Sequence, residues 1–173
     1  MKSTNYPIDE FAVLAKHSLM YWKIVKTCLE KKWIEVRDIE SFATTWLIQY
    51  PEEDECSIAL LADSGLYLAP IDALEEVEKL STNEDSLSQI DAERLWLFAR
   101  LSAIYVSARG DDDKYSDIQD VIDSFENFPD DLYFCYEYRT VPLSDPRSSM
   151  SMSEILCRAI HQLRSQLCKY EKV

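Results

Sequence analysis

Glycine is nearly missing from this chain: Gly65 and Gly110 are the only two in 173 residues. That scarcity excludes folds built on phosphate-cradling loops or on many tight hairpins, which need backbone that only glycine adopts cheaply. Histidine is as rare. His17 and His161 stand alone, neither with a second imidazole or a cysteine at ligand spacing, so no zinc site is signalled. The five cysteines, Cys28, Cys56, Cys135, Cys157 and Cys168, form an odd set without a C-x-x-C pair. They predict neither a disulfide framework nor a metal cluster, but free buried thiols in a reducing cytosol. No G-x-S-x-G elbow, Cys/His signature or phosphate loop occurs, so no catalytic residue, cofactor or metal is expected. The opening MKSTNYPIDEFAVL has no apolar run after its lysine; no secretory leader is expected, and the expected location is the cytoplasm.

What the chain does have is apolar mass, 47% hydrophobic and 12% aromatic residues, enough for one unstapled core and a single domain. Its centre of gravity is residues 88–109. Between Leu95 and Ala108 only Arg100, Ser102 and Ser107 are polar, a helix apolar on nearly every side that neighbours must wrap. The run is shorter than the roughly 20 apolar residues of a bilayer span, and Arg94, Arg100 and Arg109 interrupt it. A capping signal at Ser86 with Gln89, or at Ser88 with Asp91, predicts its start; Gly110 and three aspartates predict its stop.

Helical spacing accounts for most of the rest. A short helix follows Pro7 over 8–14. Leu19, Trp22, Val25, Leu29 and Trp33 mark a second and Val36, Ile39, Ala43, Trp46 and Tyr50 a third, expected to pair antiparallel. A helix over 55–63 ends at Gly65. Pro70 opens another, with Ile71, Leu74, Val77 and Leu80 predicted inward and Asp72, Glu75, Glu76 and Glu78 outward. Ser116 and Gln119 read as a capping box for a helix reaching Phe128. Residues 132–139, LYFCYEYR, alternate as a strand does but are taken as helix. Ser151 and Glu154 cap a last helix striped by Leu156, Ile160, Leu163, Leu167 and Tyr170. The expected fold is an all-α, single-domain bundle of about eight helices packed round the central one.

The net charge is −14, and it is unevenly spread. Residues 51–91 hold twelve acids against Lys79 alone, −11; residues 110–145 hold eleven against Lys114 and Arg139, −9. Such a field repels nucleic acid and anionic membrane and attracts basic proteins. The candidate partner-binding residues are Glu52, Glu53, Asp54, Glu55, Asp72, Glu75, Glu76, Asp111, Asp112, Asp113, Asp130 and Asp131, with the acids at 52–55 and 111–113 expected in connections. Tyr133 and Tyr136 are candidate anchors. Asp117, Asp120 and Asp123 lie three apart, and two of them could share a cation with a third carboxylate; a solvated helix face is the plainer account.

The chain resembles the bacterial proteins grouped as domain of unknown function 2247. The likeness rests on Tyr21-Trp22-Lys23 with Val25, Trp33-Ile34, Val36 with Asp38-Ile39, Trp96-Leu97 and Ile104-Tyr105. It continues through Asp117, Val121, Phe125, Phe128-Pro129-Asp130-Asp131 and Tyr138, roughly residues 20 to 145. Where that family carries an asparagine- or aspartate-bearing turn after the central helix, this chain has Gly110 and a triple aspartate. The resemblance transfers no catalytic residue. It implies a likeness to the small acidic immunity proteins that accompany bacterial toxins. The expectation is a non-enzymatic protein that plugs a basic toxin domain, most plausibly a nuclease. A helical adaptor or nucleic-acid mimic on another basic protein is the first rival, a carboxylate and metal enzyme the second.

Overall fold

The computed structural model describes residues 8–52, 56–63, 69–135, 144 and 146–172. These form α1 (Ile8–Lys16), α2 (Trp22–Glu30), α3 (Asp38–Gln49), α4 (Cys56–Ala62), α5 (Pro70–Thr82), α6 (Gln89–Val106), α7 (Asp111–Ser124) and α8 (Met152–Leu167). Short 3₁₀ segments cover Asp130–Cys135, Pro146–Ser149 and Cys168–Tyr170, and no strand occurs among the described residues. No helix there is long and apolar enough to cross a membrane. The fold is the all-α bundle that the spacing predicts.

The predicted central helix is the hub. α6 packs against α1, α2, α7 and α8, while α3 packs on α1 and α4, and α5 on α2. Leu95 through Ala99 are buried without a break, together with Ala92, Leu101, Ser102 and Ile104. Arg100 escapes the core by donating to Glu10 at 2.7 Å, which ties α1 to α6 through an otherwise buried carboxylate. Of the two possible caps, Ser88 is the one used: its hydroxyl accepts from the Asp91 amide at 3.0 Å. The Ser151 capping box also forms, with both reciprocal bonds present.

The far end of α6 differs from expectation. The helix stops at Val106, and Gly110, with φ −70, is the N-cap of α7 rather than a left-handed terminator. The three aspartates are therefore the first turn of α7, where the helix dipole favours them, and not a connection. Ser116 lies inside α7 and starts nothing. The Lys114 ammonium, buried on that helix, donates to the Tyr105 carbonyl at 2.9 Å and so satisfies the end of α6 that Gly110 does not.

Three further expectations are corrected. α2 and α3 are not an extensive antiparallel pair; they meet through Trp22, whose ring lies 5.0 Å from that of Phe42 and 5.4 Å from that of Trp46. In α5 the buried face is Ala73, Val77, Leu80 and Ser81, while Ile71 and Leu74 are 66% and 41% exposed. A run of three-residue steps falls about 60° short of a full turn at each step, so over nine residues it crosses to the opposite face. Cysteine burial is mixed: Cys28 and Cys135 are buried, but Cys56, Cys157 and Cys168 are exposed. Residues 132–135 are 3₁₀ helix, and 136–139, like Gly65, lie outside the described residues.

Glycine scarcity is met by other means. Ser18 and Lys32 take positive φ, 54° and 59°, just beyond α1 and α2. In each case the next residue reaches back across the helix end, Leu19 N–H to the Leu14 carbonyl at 2.9 Å and Trp33 N–H to the Cys28 carbonyl at 2.8 Å. These are left-handed C-terminal caps made without glycine.

Candidate partner-binding surface

The predicted acidic residues divide into those spent on the fold and those left to solvent. Asp111 accepts from the Met152 amide at 3.3 Å, joining the start of α7 to the start of α8. Asp113 and Asp117 both face Arg109, at 3.8 and 2.6 Å, so Asp117 is engaged by a cation that the protein supplies itself. Asp131 accepts from Gln162 at 2.6 Å and Gln166 at 2.9 Å and pins the 3₁₀ segment to α8. Glu76 is bonded to Lys79 and Ser57, which hold its carboxyl below the usual range. Asp112 is exposed in the first turn of α7.

Among the described residues, Glu52, Asp72, Glu75 and Asp130 are exposed and make no hydrogen bond or ion pair through their side chains. Glu53, Asp54, Glu55 and Tyr136 lie outside the described residues. Sequence reasoning did not single out Asp63 and Asp85, which are likewise exposed, nor the pairing of Asp72 and Glu75 with exposed Ile71 and Leu74 on α5. The signal for that pairing was present in the spacing of three. Tyr133 is 42% exposed and lies edge-on to Phe128, with ring centroids 5.8 Å apart.

α5 packs on α2, whereas α7 and the 130–135 segment pack on α6 and α8, so the two acidic blocks belong to different parts of the bundle. Among the described residues only the α5 block combines such carboxylates with exposed aliphatic side chains. That combination suits a partner presenting Lys or Arg around an apolar contact.

Elsewhere the chemistry is sparse. Among the described residues no group of three or more His, Cys, Asp or Glu side chains is placed to hold a metal ion. Burial pushes the Cys135 thiol up to about 12 and raises that of Cys28 as well, so neither offers a thiolate at neutral pH. His17 is half-buried edge-on to Phe98; burial first, then Arg164 and Lys16, lowers its pKa. A cavity of about 380 Å³ opens where α6 begins and α7 ends, with Ile90, Leu97, Phe125 and Pro129 as apolar walls and Lys31, Glu93 and Arg94 at its edge. Lys31 there is already held by Glu126 at 2.7 Å, with Glu93 at 3.8 Å.

No curated protein and no solved structure matches the chain. A family model does, and over far more than residues 20 to 145: it spans residues 11–168, from α1 to the last residues of the bundle. The matched region thus takes in most of α1 and all of α2, α7 and α8 around α6, and the chain belongs to DUF2247, a family described as an uncharacterized protein conserved in bacteria.

Proposed function

We propose that this chain is an immunity protein: it binds a basic toxin domain, most plausibly a nuclease, in the cytoplasm and blocks it stoichiometrically, without turnover. One observation carries the reading. On α5, Asp72 and Glu75 are exposed, with no hydrogen bond or ion pair from either side chain among the described residues, and flank exposed Ile71 and Leu74, within a block of charge −11. A nuclease displays Lys and Arg to hold phosphates, and carboxylates on a rigid helix can occupy that face and keep substrate out. The charges steer the encounter, while the aliphatic side chains, once desolvated, set how long the complex lasts. The fold supplies the rigidity, since α5 is anchored on α2 and α2 on the hub.

The test begins with the gene beside this chain's own, which should encode a secreted basic nuclease, and uses that protein as the binding partner. Asp72→Asn with Glu75→Gln should slow association at low salt and leave dissociation nearly unchanged. Ile71→Ala with Leu74→Ala should speed dissociation, at a cost of about 1 kcal/mol or more for each side chain that acts as an anchor. Both double variants should protect toxin-exposed cells less well. Unchanged rates and unchanged protection in two folded variants exclude α5 as the interface, and a neighbouring gene that encodes no toxin removes the immunity reading.

A further inference from the structure

The 3₁₀ turn Cys168–Tyr170 brings the following residues back against the start of α2 and the end of α3. The Lys172 amide donates to the Ser18 carbonyl at 2.8 Å, and the Tyr21 hydroxyl donates to the Tyr170 carbonyl at 2.7 Å. This docking places the Lys172 ammonium 4.1 Å from the ring centre of Trp46, 4.6 Å from that of Tyr21 and 5.1 Å from that of Tyr50. Three aromatic faces converging on one ammonium at these distances form a cation cage.

A carboxylate completes it. Glu84 accepts from the Lys23 amide at 2.7 Å, which fixes it at the first turn of α2, and it lies near enough to attract Lys172. Tyr21 supplies no side-chain cap to α2, so Glu84 is the missing cap, and its charge acts on Lys172 against the burial that raises its own pKa. A packing contact needs only the lysine stem. Rings on several sides with a fixed carboxylate are the requirements for recognising the charged head itself.

We infer that Tyr21, Trp46, Tyr50 and Glu84 form a recognition site for an alkylammonium group, occupied by the chain's own Lys172 and open to a lysine of a basic protein partner when the segment carrying Lys172 lifts away. The partner's being basic rests on the reading above; the cage does not. The segment is held by those two hydrogen bonds, by the Tyr170 hydroxyl donating to Asp91 at 2.5 Å, by ion pairs of Lys169 with Asp91 at 3.8 Å and of Arg164 with Glu171 at 3.5 Å, and by the ring contacts of Lys172, yet none of residues 168–172 is buried. Such a segment opens locally at far less cost than unfolding. A lysine from a docked partner then competes at the high effective concentration of a tethered group. Trp46, 3% exposed beneath Lys172, is the wall that this exchange uncovers.

The experiment needs no toxin, so its failure is separable from failure of the immunity reading. In Lys172→Ala, and in Lys172→Gln as a second variant with a shorter, neutral side chain, the cage loses its ammonium while Tyr21, Trp46 and Tyr50 stay. Blocked lysine (Nα-acetyl-lysine amide) is titrated while the Trp46 indole N–H is followed by NMR, assigned with Trp46→Phe. The isosteric but neutral control is Nα-acetyl-norleucine amide. The expected result is a saturable Trp46 shift with blocked lysine in both variants, about tenfold tighter than in the unaltered chain, and none with norleucine. Equal response of variants and unaltered chain overturns the inference, and so does norleucine binding as well as lysine, which marks an apolar crevice.

Discussion

Lys32 and Gly110 have, in conformational terms, each other's requirements. Lys32 sits at φ 59°, where an L side chain costs about 1–2 kcal/mol, whereas Gly110 sits at φ −70, a conformation that any residue adopts. Lys32 is exposed and a Cβ at Gly110 meets nothing within 4 Å, so neither exchange disturbs packing. Lys32→Gly should stabilise the protein by roughly 0.5–1 kcal/mol after the glycine's extra unfolded-state entropy, and Gly110→Ser by a few tenths through a better N-cap. Urea denaturation measures both; destabilisation by Lys32→Gly would show that the left-handed cap is not needed. Glu10 gives a second residue-scale prediction. Burial, the largest influence, raises its pKa above the usual 4.5, with Arg100 opposing. The folded protein thus holds that proton to higher pH than the unfolded chain. The contribution of Glu10 to stability is largest below about pH 4.5 and declines as pH rises through the folded value. Relative to Glu10→Gln, the unaltered protein should lose stability across that window, and the loss should deepen in Arg100→Gln, where the opposing cation is gone. Equal pH profiles for the chain and Glu10→Gln would refute the burial effect.

Among the elements, α6 was legible because its apolar residues run round the helix and cannot all be buried against one neighbour. Leu101, fully buried, should cost roughly 2–5 kcal/mol when cut to alanine, the range for a core leucine that leaves a cavity. Val106, five residues on but 71% exposed, should cost under about 0.5 kcal/mol. Thermal unfolding of the pair locates the end of the hub, and similar losses would mean that the buried run extends towards Arg109 as its composition suggests. α5 and α7 were less legible for physical reasons. A stripe at spacing three drifts round the helix, so Ile71 and Leu80 could not share a face. In α7 the capping signal at Ser116 was outweighed by the three aspartates in the first turn and by the tie from Asp111 to the Met152 amide. That amide belongs to a residue 41 positions away and leaves no local trace.

For the whole molecule the governing quantity is the charge of −14. Several carboxylates, Asp113, Asp117 and Glu126 among them, have cations of their own, whereas Glu52, Asp63, Asp72, Asp85 and Asp130 have none among the described residues. Mutual repulsion among such charges destabilises the compact state, and salt screens it. Raising ionic strength from 0.01 to 0.15 M shortens the screening length from about 30 to about 8 Å, so the melting temperature should rise with sodium chloride. A fall would mean that internal ion pairs such as Arg109 to Asp117 outweigh the repulsion. The same salt change should slow association with a basic partner while altering dissociation much less.

Composition and spacing by themselves determined that this is an all-helical chain with one buried axis and two acidic blocks, because helix period and charge are local properties written residue by residue. The tertiary structure alone decided which acids are engaged, since Asp111, Asp113 and Asp131 are taken up by partners on other elements or across a turn, while Asp72 and Glu75 make no hydrogen bond or ion pair among the described residues. It also decided that Glu84 caps a helix 61 residues away and that Lys172 lies among Tyr21, Trp46 and Tyr50. Those are meetings of side chains distant in sequence, and only the packing of the helices brings them within reach.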